Sequence, residues 1–146
     1  MFNDGSRFVS VCPVFISRDI KKTVEFYTEK LGFKSAKHYD KAENFATIYR
    51  DDIEFVIIQA KPGEMPSTTR CHRTGHDDAY IVTATPEGVE PLYEEFNAQG
   101  VNILSKPHKT DYGSYEFAIE DIDGRQIGIG RIFDKAMYFN NSDFNV

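Results

Sequence analysis

Residues able to do chemistry are thinly spread through this chain. The obvious candidates are four histidines, His38, His72, His76 and His108, and two cysteines, Cys12 and Cys71. Cys71-His72 together with His76 could gather a zinc ion, but the spacing matches no standard zinc site. The histidines otherwise read as exposed polar residues. There is no nucleophilic triad, no phosphate-cradling glycine loop and no pair of carboxylates at a useful spacing. Two alternating stretches are more informative. In 53–58, Ile53, Phe55 and Ile57 alternate with Glu54, Val56 and Ile58, so if the first set packs on a helix, Glu54 and Val56 share the opposite face. In 126–130, Gln126, Gly128 and Gly130 alternate with Ile127 and Ile129. The isoleucines should face a helix, leaving bare backbone on the other side that a flat ligand could approach. Tyr80, Tyr112, Tyr115 and Phe45 could add aromatic walls, Phe45 reading better as core. This is the make-up of a pocket that binds by apolar area plus a few polar groups. Glu54 also has a plainer reading, as a solvated carboxylate at a strand start.

The elements that must position these residues are marked by punctuation. Residues 17–33 read as a helix with its start and stop: Asp19 caps it, Ile20, Val24, Tyr27 and Leu31 form one apolar face, and Gly32 ends it. A strand over 8–16 precedes it, where Pro13 suggests an edge position or a place where a backbone N–H is not needed. Strands over 33–39, 45–50 and 53–59 follow, the last two joined at Asp51-Asp52. Residues 61–75, rich in Pro, Gly, Ser and Thr, read as a linker or mobile loop. The pattern then repeats. A strand over 79–84 leads to Thr85 and Pro86 as helix start, Val89, Leu92, Tyr93 and Phe96 as apolar face, and Gly100 as stop. A short strand over 101–104, a polar loop over 105–113 and a strand over 115–120 come next. Asp123-Gly124 then turns the chain into a last strand over 126–132.

The expectation is an α+β fold of one domain spanning 1–146. It holds two βαβββ modules, 8–60 and 76–133, joined by the linker 61–75 and followed by a tail, 134–146. Helices outside and two half-sheets inside would make a cup-shaped half-barrel. The net charge of −6, with no run of Lys and Arg, argues against a nucleic-acid partner. No apolar stretch is long enough to span a bilayer. Two cysteines make no disulfide framework, and no leader pattern opens the chain, so a cytoplasmic location is expected.

Three motifs carry a resemblance. They are Ser17-Arg18-Asp19 running into Glu25-Phe26-Tyr27 and Leu31-Gly32-Phe33; 89–93 followed by Gln99-Gly100-Val101; and Tyr112-Gly113 through Glu116-Phe117-Ala118-Ile119-Glu120 to Asp123-Gly124. In this order they resemble the vicinal oxygen chelate superfamily, which groups glyoxalase I, bleomycin resistance proteins and extradiol dioxygenases. Pro13 followed by Ser17-Arg18-Asp19 looks most like the bleomycin resistance branch. The resemblance implies a cup that in the family's enzymes holds one divalent metal, with His, Gln or Glu ligands on the first and last strand of each half. Carried over, those positions hold Cys12, Glu54 or Val56, the neighbourhood of Ala79 with Asp77 nearby, and Gly128. One conventional donor survives at most, so the expectation is no metal and no cofactor. Tyr112 matches an aromatic position near the cup mouth of family binders. The expected ligand-binding set is Cys12, Glu54, Val56, Tyr112, Tyr115, Gln126 and Gly128. The resemblance then implies a metal-free protein sequestering a partly aromatic small molecule, with a metal-dependent lyase, isomerase or dioxygenase as the alternative. A homodimer is expected from the open sheet edges and the apolar residues of the tail.

Overall fold

Asp19 turns the chain from its first strand into its first helix. Its carboxylate accepts the backbone N–H groups of Lys21 and Lys22 at 3.1 and 3.3 Å, satisfying two donors that a helix start leaves open. Gln59 covers a third, its Oε1 accepting from Ile20 N at 2.8 Å. This computed structural model describes residues 4–36, 44–64 and 76–139. The first module comprises β1 Val14–Ser17, α1 Ile20–Lys30, β2 Lys34–Ser35, β3 Phe45–Arg50 and β4 Ile53–Gln59. Its sheet runs β1-β4-β3-β2, with β1 parallel to β4 and the other pairs antiparallel. Gly32 ends α1 at φ +72°, where an L side chain is strained; a Cβ there would also stand 2.8 Å from Arg50 Nη1. Alternation sends Phe15, Ala46, Ile48, Phe55 and Ile57 to the face that packs on Ile20, Tyr27 and Leu31.

The second module repeats the plan with β5 Ala79–Val82, a 3-10 turn Pro86–Gly88, α2 Val89–Ala98, β6 Asn102–Lys109, β7 Ser114–Glu120 and β8 Gln126–Ile132; a short α3, Lys135–Phe139, follows. The order β5-β8-β7-β6 is that of the first sheet, and β5 is parallel to β8. Phe117, Ile119, Ile127 and Ile129 pack with Val89 and Phe96 of α2 in one core shared with the first module. The two four-stranded sheets are not closed into a barrel. The α+β, two-module architecture read from the sequence is the one observed.

Several boundaries differ. The first ladder starts at Val14, not at residue 8, and residues 8–13 run outside any strand. Thr85 makes no side-chain cap bond, and Pro86 opens a 3-10 turn before α2. The expected polar loop over 105–113 is for the most part strand, since β6 extends to Lys109. Two register shifts, between Ile103 and Ser105 and between Ser105 and His108, break its alternation. Pro107, which cannot donate to a ladder, adds to the loop-like look. The strand expected over 33–39 is seen as Lys34–Ser35, its remainder from 37 lying outside the described residues, as do 65–75 of the linker and 140–146 of the tail.

Beyond the shared core, two arginine clusters tie the modules together. At the first, Arg125 of the β7–β8 turn is buried with Asp121 and Asp123, at 2.9 and 3.2 Å from its Nη1. Its Nη2 donates to the Ile16 carbonyl in the first module. Tyr27 and Thr23 of α1 donate hydroxyls to Asp121 and Asp123, both at 2.7 Å. At the second, Arg50 beside the β3–β4 turn forms a forked pair with Glu95 of α2, at 2.7 and 3.1 Å. Each module's hairpin thus grips the other module's helix, which fixes both cup faces.

Candidate functional site

The cup face of the second module is set by the pairing of β5 with β8, which puts Tyr80 opposite Gly128 and Val82 opposite Gly130. Neither glycine leaves empty space. A Cβ on Gly128 would run into the Asp77 carboxyl, 2.7 Å from its Cγ, and the Tyr80 ring at 2.8 Å. One on Gly130 would stand 2.5 Å from the Tyr80 hydroxyl and from the Tyr115 carbonyl. The side chains missing from β8 are therefore replaced by two that reach across from Asp77 and β5. The sequence suggested room there for a ligand; the structure fills that room with Asp77 and Tyr80.

What they build is a carboxylate held by hydroxyls. Glu116, on the cup face of β7, accepts from Tyr80 at 2.8 Å, Tyr112 at 2.6 Å and Ser114 at 2.8 Å. Burial and these bonds to Glu116 hold both tyrosine hydroxyls above the usual phenol range, so they remain donors. Asp77 lies beside this group, its Oδ1 accepting from Gln126 Nε2 at 2.9 Å. Burial pushes the Asp77 carboxyl up from its ordinary value, and the charge of Glu116 adds to the effect. His76, Asp77, Ser105, His108, Tyr112 and Glu116 border a cavity of about 460 Å³, and among the described residues no Lys or Arg stands on its wall. Such a wall offers acceptors and phenol rings, and it suits a molecule whose polar end donates hydrogen bonds.

Of the residues singled out in the sequence, Tyr112, Gln126 and Gly128 come together here. Cys12, Glu54 and Val56 meet in the first module, where Val14 pairs Val56 and the Cys12 thiol donates to the Glu54 carbonyl at 3.5 Å. Burial, then the charge of Glu54, raises that thiol above its ordinary value, so it is no thiolate. Glu54 is exposed, and it lines with Tyr80 a groove of about 620 Å³ between the modules. Tyr115 is not on the cup face at all: it points to the helix side, where its hydroxyl donates to Glu90 of α2. Reading Tyr115 as a pocket wall thus took the wrong face of β7. The same alternation, Ser114-Glu116-Ala118 against Tyr115-Phe117-Ile119, was the signal that could have found Glu116 and Ser114. Asp77 was noted only as a neighbour of Ala79. Of the histidines, His76 and His108 border the cavity, while His38 and His72, with Cys71, lie outside the described residues.

The residues do not fit a resident divalent metal. Val56 and Gly128 carry no donor atom, and the Cys12 thiol is neutral and engaged with a carbonyl. Among the described residues, no group of three or more His, Cys, Asp and Glu is placed to hold a metal ion.

The Asp77 shift has a testable sign. A carboxyl whose folded value is raised favours folding while protonated, and that contribution is lost as pH rises through the folded value. Asp77→Asn should therefore melt at a higher temperature than the parent at pH 7, and thermal scans should show the gap closing toward pH 3. A lower melting temperature at pH 7 would contradict the strained carboxylate.

A model of the Glyoxalase/Bleomycin resistance protein/Dioxygenase superfamily matches residues 10–129. Among solved structures, the chain is similar to a glyoxalase/bleomycin resistance protein/dioxygenase from Nocardioides, at 18% identity and TM-score 0.66, over 89% of this chain and 87% of that one. A protein of the same description from Alicyclobacillus acidocaldarius gives 18% identity and TM-score 0.67, over 94% and 98% of the two chains. Lactoylglutathione lyase from Agrobacterium tumefaciens gives 12% identity and TM-score 0.64, over 86% and 95%. At such identities the likeness speaks for the fold alone. No protein among the curated sequences matches the chain.

Proposed function

The chain belongs to the glyoxalase/bleomycin resistance protein/dioxygenase superfamily, and within it we propose a metal-free binding protein that holds a small, partly aromatic molecule in the cup of its second module. Glu116 supports this reading most. Three hydroxyls fix its carboxylate at the wall of a cavity, and a carboxylate so supplied needs no further partner for the fold. An amine or amidine on a flat ring suits the site: the ring lies against tyrosine, and the donor end meets Glu116 and Asp77. Sequestration of a drug-like molecule is the concrete form, with no bond broken.

The chain has eight Tyr and no Trp, so quenching of tyrosine fluorescence follows binding of a dye without labels. A flat cationic dye of the acridine class should bind and return unchanged by mass spectrometry. An anionic xanthene of similar size should not bind. Glu116→Gln should weaken the acridine at least about tenfold, roughly 1.4 kcal/mol. Equal affinity of the parent and Glu116→Gln would remove the site from the reading, and chemical conversion of the bound molecule would replace binding by catalysis.

A further inference from the structure

The two modules match residue by residue where they join. Arg125 closes the β7–β8 turn against Asp121, and Ile53 closes the β3–β4 turn against Arg50. Four residues beyond each, Ile129 pairs Ile81 and Ile57 pairs Phe15. On the helices, Ile20, Thr23 and Tyr27 of α1 have the spacing of Val89, Leu92 and Phe96 of α2. The junction on α1 is thus built from Arg125, Phe15, Thr23 and Tyr27, and it is filled. Thr23 and Tyr27 bond the two carboxylates, and the Arg125 guanidinium lies 4.6 Å from the centre of the Phe15 ring. The same four places on the α2 side hold Ile53, Ile81, Leu92 and Phe96. Isoleucine is shorter than arginine and narrower than a phenyl ring, and neither Leu92 nor Phe96 carries a hydroxyl to hold a carboxylate of the turn. All four line a cavity of about 740 Å³. The space that Arg125 occupies in one junction stays open in the other.

We infer that this cavity is a second binding site, separate from the cup, for a monocarboxylate with an aliphatic body. Its size falls in the roughly 300–1,000 Å³ range of small-molecule sites. Phe33, Ile53, Ile81, Leu92, Phe96 and Ile129 give it a mostly aliphatic wall. Ile81 and Ile129 belong to the core on the helix side of the sheet, whereas Tyr80 and Gly128 are on its cup face, and the two cavities share no described residue.

The head group follows from Arg131, which borders the cavity two residues beyond Ile129. Gln59 holds the matching place in the first module, two residues beyond Ile57, and both ends of its amide are bonded, to Ile20 N and to the Arg18 carbonyl. Among the described residues, Arg131 makes one hydrogen bond, from Nη1 to the Thr83 carbonyl at 3.0 Å, and no carboxylate pairs with it. The rest of its guanidinium fork matches a carboxylate. Arg50, the other cation on the wall, is engaged by Glu95 and the Leu31 carbonyl. Asp51 and Asp52 stand beside it, so the rim takes one negative charge and repels a second. A doubly charged xanthene dye is therefore shut out here as well. The site does not depend on what the cup binds.

Calorimetric titration of the full chain with octanoate at pH 7 tests this. Octanoate should bind, and octanol and octyltrimethylammonium should bind at least about tenfold more weakly. Arg131→Gln should weaken octanoate about tenfold and leave octanol unchanged. Ile81→Phe, which gives β5 the ring that β1 carries at Phe15, should abolish octanoate binding by filling the space. Leu92→Phe fills it from the helix side and serves as the second variant if Ile81→Phe melts early. All three should keep the far-UV circular dichroism of the parent and its response to the acridine, since none of these residues borders the cup. No binding of octanoate at about 2 mM would overturn the site. Octanol bound as tightly as octanoate, equal octanoate affinity in Arg131→Gln, or full affinity in a folded variant with the cavity filled would each do the same.

Discussion

Arg125→Met should cost this fold about 3–5 kcal/mol, a large part of the roughly 5–15 kcal/mol that holds a domain of this size together. The guanidinium is 2% exposed and sits between two carboxylates whose side chains are 0% and 4% exposed. It also donates to the Ile16 carbonyl and lies 4.6 Å from the centre of the Phe15 ring. Removing it leaves two buried negative charges side by side and a carbonyl without its donor. The carboxylates cannot turn to water, because Asp121 also accepts the Asp123 and Arg125 N–H groups at 2.9 Å and the Tyr27 hydroxyl at 2.7 Å. Urea denaturation at pH 7 measures the loss. Arg50→Met is the matched control, since that arginine and Glu95 are 25% and 40% exposed; it should cost under about 1 kcal/mol. Adding Asp123→Asn to Arg125→Met should restore part of the loss by removing one of the stranded charges. A cost below about 1 kcal/mol for Arg125→Met would mean that the junction is not the fastening described.

The two glycines of β8 should separate the fold from the site. At Gly130 an added methyl meets backbone, the Tyr115 carbonyl at 2.5 Å, in a ladder where Glu116 pairs Gly130. Relief requires β7 and β8 to part, so Gly130→Ala should lose about 1–3 kcal/mol. At Gly128 the methyl meets the ends of side chains, the Asp77 carboxyl and the Tyr80 ring, and both can swing away. Gly128→Ala should therefore fold with a loss under about 1.5 kcal/mol. Its Asp77 would leave the cup and its Tyr80 would let go of Glu116, so affinity for the acridine should fall at least tenfold, roughly 1.4 kcal/mol. Denaturation and fluorescence titration on the two variants test the contrast. A Gly130→Ala protein as stable as the parent, or a Gly128→Ala protein that still binds, would show the floor to be looser than these distances imply.

The sequence by itself determined the elements whose signals are local. β3, β4 and β8 occupy the residues read for them, because strict alternation with one buried face leaves a strand a single workable register. Asp19, Gly32 and Gly100 mark the helix ends as expected, the glycines at φ +72° and +76°, since caps and left-handed stops are properties of a few neighbouring residues. Where alternation failed, the reading failed too. β6 hides behind two bulges and Pro107, and residues 8–12 have the composition of a strand but join no strand among the described residues. The site depended on contacts far apart in sequence. That the space over Gly128 belongs to Asp77 follows from the register of β5 on β8, 48 residues apart at Tyr80 and Gly128. Glu116 takes the Ser114 and Tyr112 hydroxyls from its own strand and the turn before it, but its third donor, Tyr80, reaches it only through the pairing of β5 with β8, 36 residues away in sequence. Arg125 reads in sequence as a charge after a hairpin. Its burial follows from docking that hairpin on a helix 94 to 100 residues earlier, which no periodicity encodes, because hydrogen bonds of that span exist only once both modules have folded.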